Sequence, residues 1–261
     1  MKEIIGVKDL SCILSEKNIL NNINLNFEEK KLYTIVGPNG SGKTTLLKHI
    51  CKILDVNQGD IYIEGKSIGR FSGRDLSKNL SSVPQNTHTN FSYNVFDIVL
   101  MGRNPHIGRF QKESKADIEI AEKAMKITGT YDLRNEDIDV LSGGERQRVI
   151  IARALTQETP IMLLDEPISQ LDIHHQIQIM NILKELVEKF NKTVICVLHD
   201  LNIAAQYSDE IILLDKGKVF RKGHPSQVIT KEILREVYGM EFHIMENPIN
   251  SSPLILPYNN I

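Results

Sequence analysis

Tryptophan is absent from this 261-residue chain, and its three cysteines, Cys12, Cys51 and Cys196, stand far apart. No CxxC pair and no metal-ligand spacing can be built from them, which excludes a disulfide-stapled scaffold or a cysteine-based zinc site. Three isolated thiols suit a reducing cytosol. Long apolar runs are also lacking. The longest, such as Thr193–Leu198 and Ile211–Leu214, fall far below the ~20 residues that a membrane-crossing helix needs. Met1–Gly6 carries no apolar stretch of signal-peptide length. Neither sign of charge dominates: 31 Lys and Arg against 33 Asp and Glu leave a net charge of -2, too little basic surface for an electrostatic nucleic-acid binder. With 41% hydrophobic and 25% charged residues, disordered, collagen-like and coiled-coil chains are excluded. The length suits one large domain with a full core. The expectation is a soluble cytoplasmic protein that reaches a membrane only through a partner.

What is present alternates between two periods. Asn18–Phe27 alternates apolar and polar residues, most regularly over Ile23, Leu25 and Phe27, the pattern of a half-buried strand. Leu32–Val36 is a denser β-type run ending at a glycine, and from Thr44 the spacing of Leu46, Leu47 and Ile50 turns helical. Asp60–Glu64 and Leu80–Val83 read as further short strands. Phe91–Leu155 is mostly helical in pattern. Then a strand at Ile161–Leu164, a helix at Ile173–Val187 and a strand at Thr193–Leu198 follow. A short helix from Leu201 and a strand at Ile211–Leu214 come next. Strands alternating with helices predict an α/β fold with a mainly parallel sheet, and the helical middle reads as an insertion into it. The proline- and asparagine-rich tail from Asn247 gives no pattern.

Three clusters carry chemistry. Gly37-Pro38-Asn39-Gly40-Ser41-Gly42-Lys43-Thr44 fits GxxxxGK[ST] between a strand and a helix. Its glycines let successive backbone N–H groups turn inward on phosphate oxygens, and the helix adds its positive end. Lys43 can reach the β- and γ-phosphates, and the Thr44 hydroxyl can ligate Mg²⁺. Ile161–Leu164 is followed by Asp165 and Glu166 at the carboxyl end of a strand, where α/β sheets bind ligands. There Asp165 can hold Mg²⁺ and Glu166 can take a proton from water; alone, the pair could equally be two solvated acids. Leu141-Ser142-Gly143-Gly144-Glu145 opens a helical run, with Ser142 and Glu145 spaced as a capping box. It is either a well-capped helix or a second anion site; two phosphate sites in one chain suggest two chains sandwiching the nucleotide.

From about Val7 to Gly239 the chain resembles the ATP-binding cassette ATPases. The resemblance rests on Walker A at 37–44, Gln85 in Val83-Pro84-Gln85, the LSGGE signature at 141–145 and Walker B at 161–166. Ser169-Gln170-Leu171-Asp172 corresponds to the D-loop and His199 to the switch histidine. Met101-Gly102-Arg103-Asn104-Pro105-His106 and Val237-Tyr238-Gly239 look like the branch serving iron–siderophore, haem and cobalamin importers. The resemblance implies a P-loop NTPase core over about 1–85 and 159–240, with an N-terminal antiparallel β part. It places an inserted helical subdomain at about 86–158 and a tail at 241–261, all within one domain.

It also implies roles. Glu166, His199 and Gln85 would be catalytic, with Gln85 beside the surface that receives the permease. Residues 37–44 and Thr45 would hold ATP, and Thr44, Gln85 and Asp165 would hold Mg²⁺. Ser142, Gly143, Gly144 and Glu145 would close on ATP of the opposite subunit of a homodimer, with Asp172 linking the sites. The implied function is ATP hydrolysis powering import of a metal chelate, by a peripheral subunit on the cytoplasmic face of the membrane. Its partners would be permease subunits and, indirectly, an extracytoplasmic substrate-binding protein, with no nucleic acid. Other cargo (zinc, manganese or an oxyanion) and a soluble non-transport ATPase are the alternatives. Two positions depart from the family: Leu14 stands where an aromatic residue stacks on adenine, and Gln170 where alanine is commoner.

Overall fold

The computed structural model describes residues 2–85 and 93–258, which fall into two compact units, 1–70 with 193–261, and 71–192. In the first, β1 (Glu3–Leu14) and β2 (Lys17–Glu28) form a long antiparallel pair. Leu20, Ile23, Leu25 and Phe27 of β2 point inward at alternate positions once past a shift, as the sequence pattern predicts. β3 (Leu32–Val36) is buried at every residue, and α1 (Lys43–Ile50) follows it. β4 (Gln58–Ile63) joins β1 and carries the short β5 (Lys66–Ser67), giving an antiparallel sheet in the order β2-β1-β4-β5.

The second unit begins with α2 (Gly73–Leu76) and β6 (Leu80–Val83). The expected start of the helical insertion at 86 lies outside the described residues, as does Phe91. From residue 93 the described chain is helical: α3 (Val95–Leu100), α4 (Lys115–Ile127) and α5 (Gly143–Thr156) pack on one another. β7 (Ile161–Asp165) pairs in parallel with β6, and α6 (Ile173–Glu188) completes the unit.

The chain then returns to the first unit. β8 (Thr193–Val197) and β9 (Glu210–Asp215) flank β3 in parallel, with α7 (Leu201–Tyr207) between them in sequence. β10 (Lys218–Gly223) pairs antiparallel with β9 through the turn at Lys216 and Gly217. Three parallel strands buried on both faces explain why Leu32–Val36, Thr193–Val197 and Ile211–Leu214 read as continuous apolar runs and do not alternate. After α8 (Pro225–Val228) and α9 (Lys231–Tyr238), the tail that gave no sequence pattern folds as a hairpin, β11 (Glu241–Glu246) with β12 (Pro253–Tyr258). The Asn202 side chain clamps it: Nδ2 donates to Ile255 O at 3.1 Å, and Oδ1 accepts from Ile255 N at 2.7 Å.

Candidate nucleotide site

β3 delivers the glycine loop. At Gly37 (φ 147°) a Cβ would lie 2.1 Å from the Leu214 carbonyl oxygen, so no larger residue fits where the strand meets the loop. Gly42 (φ 99°) is the N-cap of α1, and its Cβ would meet Leu20 Cδ2 at 2.7 Å. Because that cap has no side chain, nothing from the chain's own cap occupies the first N–H groups of α1, and no acid stands in its first turn. Lys43, only 6% exposed, donates to the carbonyls of Gly37 (2.8 Å) and Pro38 (2.9 Å) and thereby closes the loop on itself. Ser41 Oγ is buried without a hydrogen-bond partner. An orphaned hydroxyl, an uncapped helix start and a buried ammonium together fit a polyphosphate. Asn39 and Gly40 are exposed, while Thr44 and Thr45 are half-buried in the first turn of α1.

His199 belongs to the same unit. Leu198 N donates to Ile35 O at 3.2 Å, so His199 and Gly37 leave neighbouring parallel strands at the same carboxyl end. Asp200 caps α7 by accepting from Asn202 N (2.8 Å) and Ile203 N (3.0 Å), which fixes the backbone just after the histidine. Leu14, at the end of β1, is 41% exposed beside the left-handed pair Ser15 and Glu16.

In the other unit Asp165 ends β7, and Glu166 follows in the left-handed region (φ 52°), a strained setting for a residue with a side chain. Two bonds hold it there: its carbonyl accepts from Ser169 N at 3.2 Å and from Ser169 Oγ at 3.0 Å. Gln85 Nε2 donates to Glu166 Oε2 at 2.7 Å, across 81 positions of sequence. That bond commits the amide nitrogen and leaves Gln85 Oε1 as an acceptor. That oxygen and the Asp165 carboxylate are both oxygen donors of this unit, the kind a hard divalent cation takes. Among the described residues no cluster of three or more His, Cys, Asp or Glu could hold a metal. Gln170 is exposed and left-handed (φ 68°), and Asp172 caps α6 by accepting from His175 N at 3.0 Å. That same N–H holds the Asp172 carboxyl below its usual range.

The signature at the start of α5 is the capping box its spacing predicts. Ser142 Oγ donates to Glu145 Oε2 at 2.6 Å and accepts from Glu145 N at 3.3 Å, while Ser142 N donates to the same carboxylate at 2.9 Å. The Ser142 hydroxyl and N–H hold the Glu145 carboxyl below its ordinary value. Ser142 and Gly143 are exposed and Gly144 is buried.

Sequence reasoning quoted Met101–His106 but missed what it does. Gly102 packs so closely on α5 that a Cβ would lie 2.1 Å from the Arg153 carbonyl oxygen. Arg103 is buried; it binds Asp117 Oδ1 (2.8 Å), Glu158 Oε2 (2.8 Å) and the Thr156 carbonyl (3.0 Å), so it ties α4 to the carboxyl end of the signature helix. His106 Nε2 lies 2.9 Å from Gln157 O. A glycine–arginine pair just after a helix was the available signal.

A phosphate-binding loop on a parallel α/β sheet, with a strand-end acid pair and a capped signature helix, defines the class of P-loop ATPase cassettes. The ABC transporter family model matches residues 20–169, more than half of the chain, which therefore belongs to the ABC transporter family. The ferric enterobactin transport ATP-binding protein FepC of Escherichia coli (strain K12) is 36% identical over 239 residues, covering 92% of this chain and 88% of its own. A metal-chelate-type ABC transporter in an inward-facing conformation superposes with a TM-score of 0.86 at 28% identity, covering 99% of this chain and 98% of that one. A dimeric bacterial ABC transporter cassette, MJ0796, gives 0.73 at 30% identity over 85% of this chain and 98% of that one. The chain is accordingly an ATP-binding, ATP-hydrolysing subunit coupled to transport.

Proposed function

We propose that this ATPase drives import of a metal chelate, an iron(III)–siderophore or a haem- or cobalamin-type complex, through a separate membrane permease. Among the described residues no helix is long and apolar enough to cross a membrane. In this reading the chain sits peripherally on the cytoplasmic face, bound to permease subunits that receive cargo from an extracytoplasmic binding protein. Cargo class follows from the similarity to FepC and to the metal-chelate-type transporter. The helical stretch from about residue 93 to 158 is the subdomain that moves with nucleotide.

ATP binds with its phosphates in the cradle of residues 37–45, where Lys43 exchanges its loop carbonyls for β- and γ-phosphate oxygens. Thr44, Asp165 and Gln85 Oε1 would hold Mg²⁺, which when bound neutralises charge on those phosphates. Glu166 accepts the proton of the attacking water, and Gln85 keeps its carboxylate aimed. His199 orients the γ-phosphate and Glu166. Ser142, Gly143 and Gly144 of a second copy close the other side, and Asp172 links the two sites of the homodimer. Closure then requires the Ser142 hydroxyl to turn from Glu145 toward phosphate. The 2.7 Å bond from Gln85 to Glu166 carries the catalytic part, because it presents an acid already oriented at a strained strand end. Cells carrying Glu166→Gln should lose accumulation of the labelled chelate while still assembling the transporter; uptake at the wild-type rate contradicts the reading.

A further inference from the structure

Of the two signature glycines, only one owes its missing side chain to a neighbour. A Cβ on Gly143 would meet nothing nearer than Leu171 Cδ2 at 3.4 Å, an ordinary contact. A Cβ on Gly144 would lie 2.4, 2.6 and 2.8 Å from Cγ, Cδ2 and Nδ1 of His175, well inside the ~3.5 Å at which non-bonded carbons attract. The imidazole thus rests directly on the Gly144 backbone. It touches α5 again one turn on, where His175 Nδ1 lies 3.3 Å from Arg148 Nη1. Arg148 Nη1 also donates to Gln178 Oε1 at 3.0 Å, and that oxygen is 3.2 Å from the same ring nitrogen. At its other end His175 is bound to the D-loop, since its backbone N–H donates to Asp172 Oδ1 at 3.0 Å. One residue therefore caps with the D-loop acid and seats the first turn of the signature helix.

We propose that His175 is a positioning residue that sets the signature corner from the D-loop, so that Ser142 and Gly143 are presented to the opposite nucleotide only when Asp172 holds its cap. The inference rests on the reading that this corner closes on a second copy's ATP. Coupling runs through contact, with no proton or charge transferred, so steric complementarity tests it. Gly144→Ala should lower the ATPase kcat at least ~30-fold while leaving the dissociation constant for ATP of the free subunit within twofold, because the phosphate loop belongs to the other unit. His175→Ala should lower kcat ~10-fold with KM unchanged. The double variant should match His175→Ala and so regain activity over Gly144→Ala, a non-additivity that independent sites do not show.

A double variant as inactive as Gly144→Ala, or His175→Ala with wild-type kcat, overturns the proposal. Amide hydrogen exchange at residues 142–146 separates this failure from failure of the two-copy reading, because it is read on the monomer. His175→Ala should speed exchange there at least ~10-fold, and unchanged protection overturns the coupling. If the hydrolysis-dead Glu166→Gln protein stays monomeric with ATP while that exchange still responds, the two-copy reading fails and the contact between D-loop and signature stands.

Discussion

Replacing Arg103 by methionine is the sharpest test of how the signature helix is anchored. Arg103 is 6% exposed, and its guanidinium meets Asp117, Glu158 and the Thr156 carbonyl within 3.0 Å. Methionine fills much of the same volume, so the cost lies in the polar partners left behind. Glu158 is 53% exposed along its side chain and rehydrates, so that bridge contributes less than about 1 kcal/mol. The Asp117 side chain is 13% exposed and loses one bond while keeping those from Ser114. The Thr156 carbonyl at the end of α5 is stranded, at a cost of about 1–3 kcal/mol. A total near 3 kcal/mol agrees with the lower end for breaking a buried pair, and lowers Tm by about 6–12 °C.

The pH dependence supplies a second readout. Asp117 is held down to about 2, first by the Ser114 hydroxyl and then by Arg103. Its folded pKa lies below the unfolded value of about 3.9, so its stabilisation is complete above that value and is lost as pH falls through about 2. The variant forfeits the arginine's share. The Tm gap between wild type and Arg103→Met, followed by circular dichroism, should be widest at neutral pH and shrink between pH of about 4 and about 2. A gap under 2 °C at neutral pH, or one that widens in acid, refutes the reasoning.

Lys43→Ala should weaken binding of a non-hydrolysable ATP analogue at least about 100-fold, equivalent to about 2.8 kcal/mol; equilibrium dialysis giving wild-type affinity would exclude the cradle. Asn202→Ala removes both bonds that clamp the tail hairpin, worth about 1–3 kcal/mol together, so limited proteolysis at residues 247–252 should accelerate about tenfold or more. An unchanged rate would show that the clamp contributes nothing. Leu14→Tyr adds an aromatic face where base stacking is expected, worth about 0.5–1.5 kcal/mol. ATP should then bind about two- to tenfold tighter, with the ATP-to-GTP ratio altered. If neither nucleotide's dissociation constant changes, Leu14 does not face the base.

How much of this was legible depends on how far each signal reaches along the chain. The unit from β3 through the loop to α1 was read correctly because Leu32–Val36, the glycines and the helical spacing are contiguous. The capping box at Ser142 was legible for the same reason. β1 was not, since Ile4–Val7 are all buried and register shifts between Val7 and Leu10 and between Leu10 and Cys12 break any alternation. The tail hairpin hid because β12 carries Pro253 and Pro257, and its anchor, Asn202, lies 53 positions away. At the site, the roles expected of Gln85, Asp172 and His199 came from resemblance, and the Gln85–Glu166 bond was not foreseen at all, since partners 81 positions apart leave no local pattern. Gly144 was read as a phosphate contact, yet its close neighbour is His175, which only the fold brings to it.

The proposed mechanism holds one triphosphate between the Lys43 cradle of one copy and the Ser142 corner of another. Sedimentation of the Glu166→Gln protein with ATP and Mg²⁺, alone and with its membrane component, measures this directly. An ATP-dependent dimer retaining two nucleotides is expected, abolished by adding Lys43→Ala. A strictly monomeric protein under both conditions would contradict it.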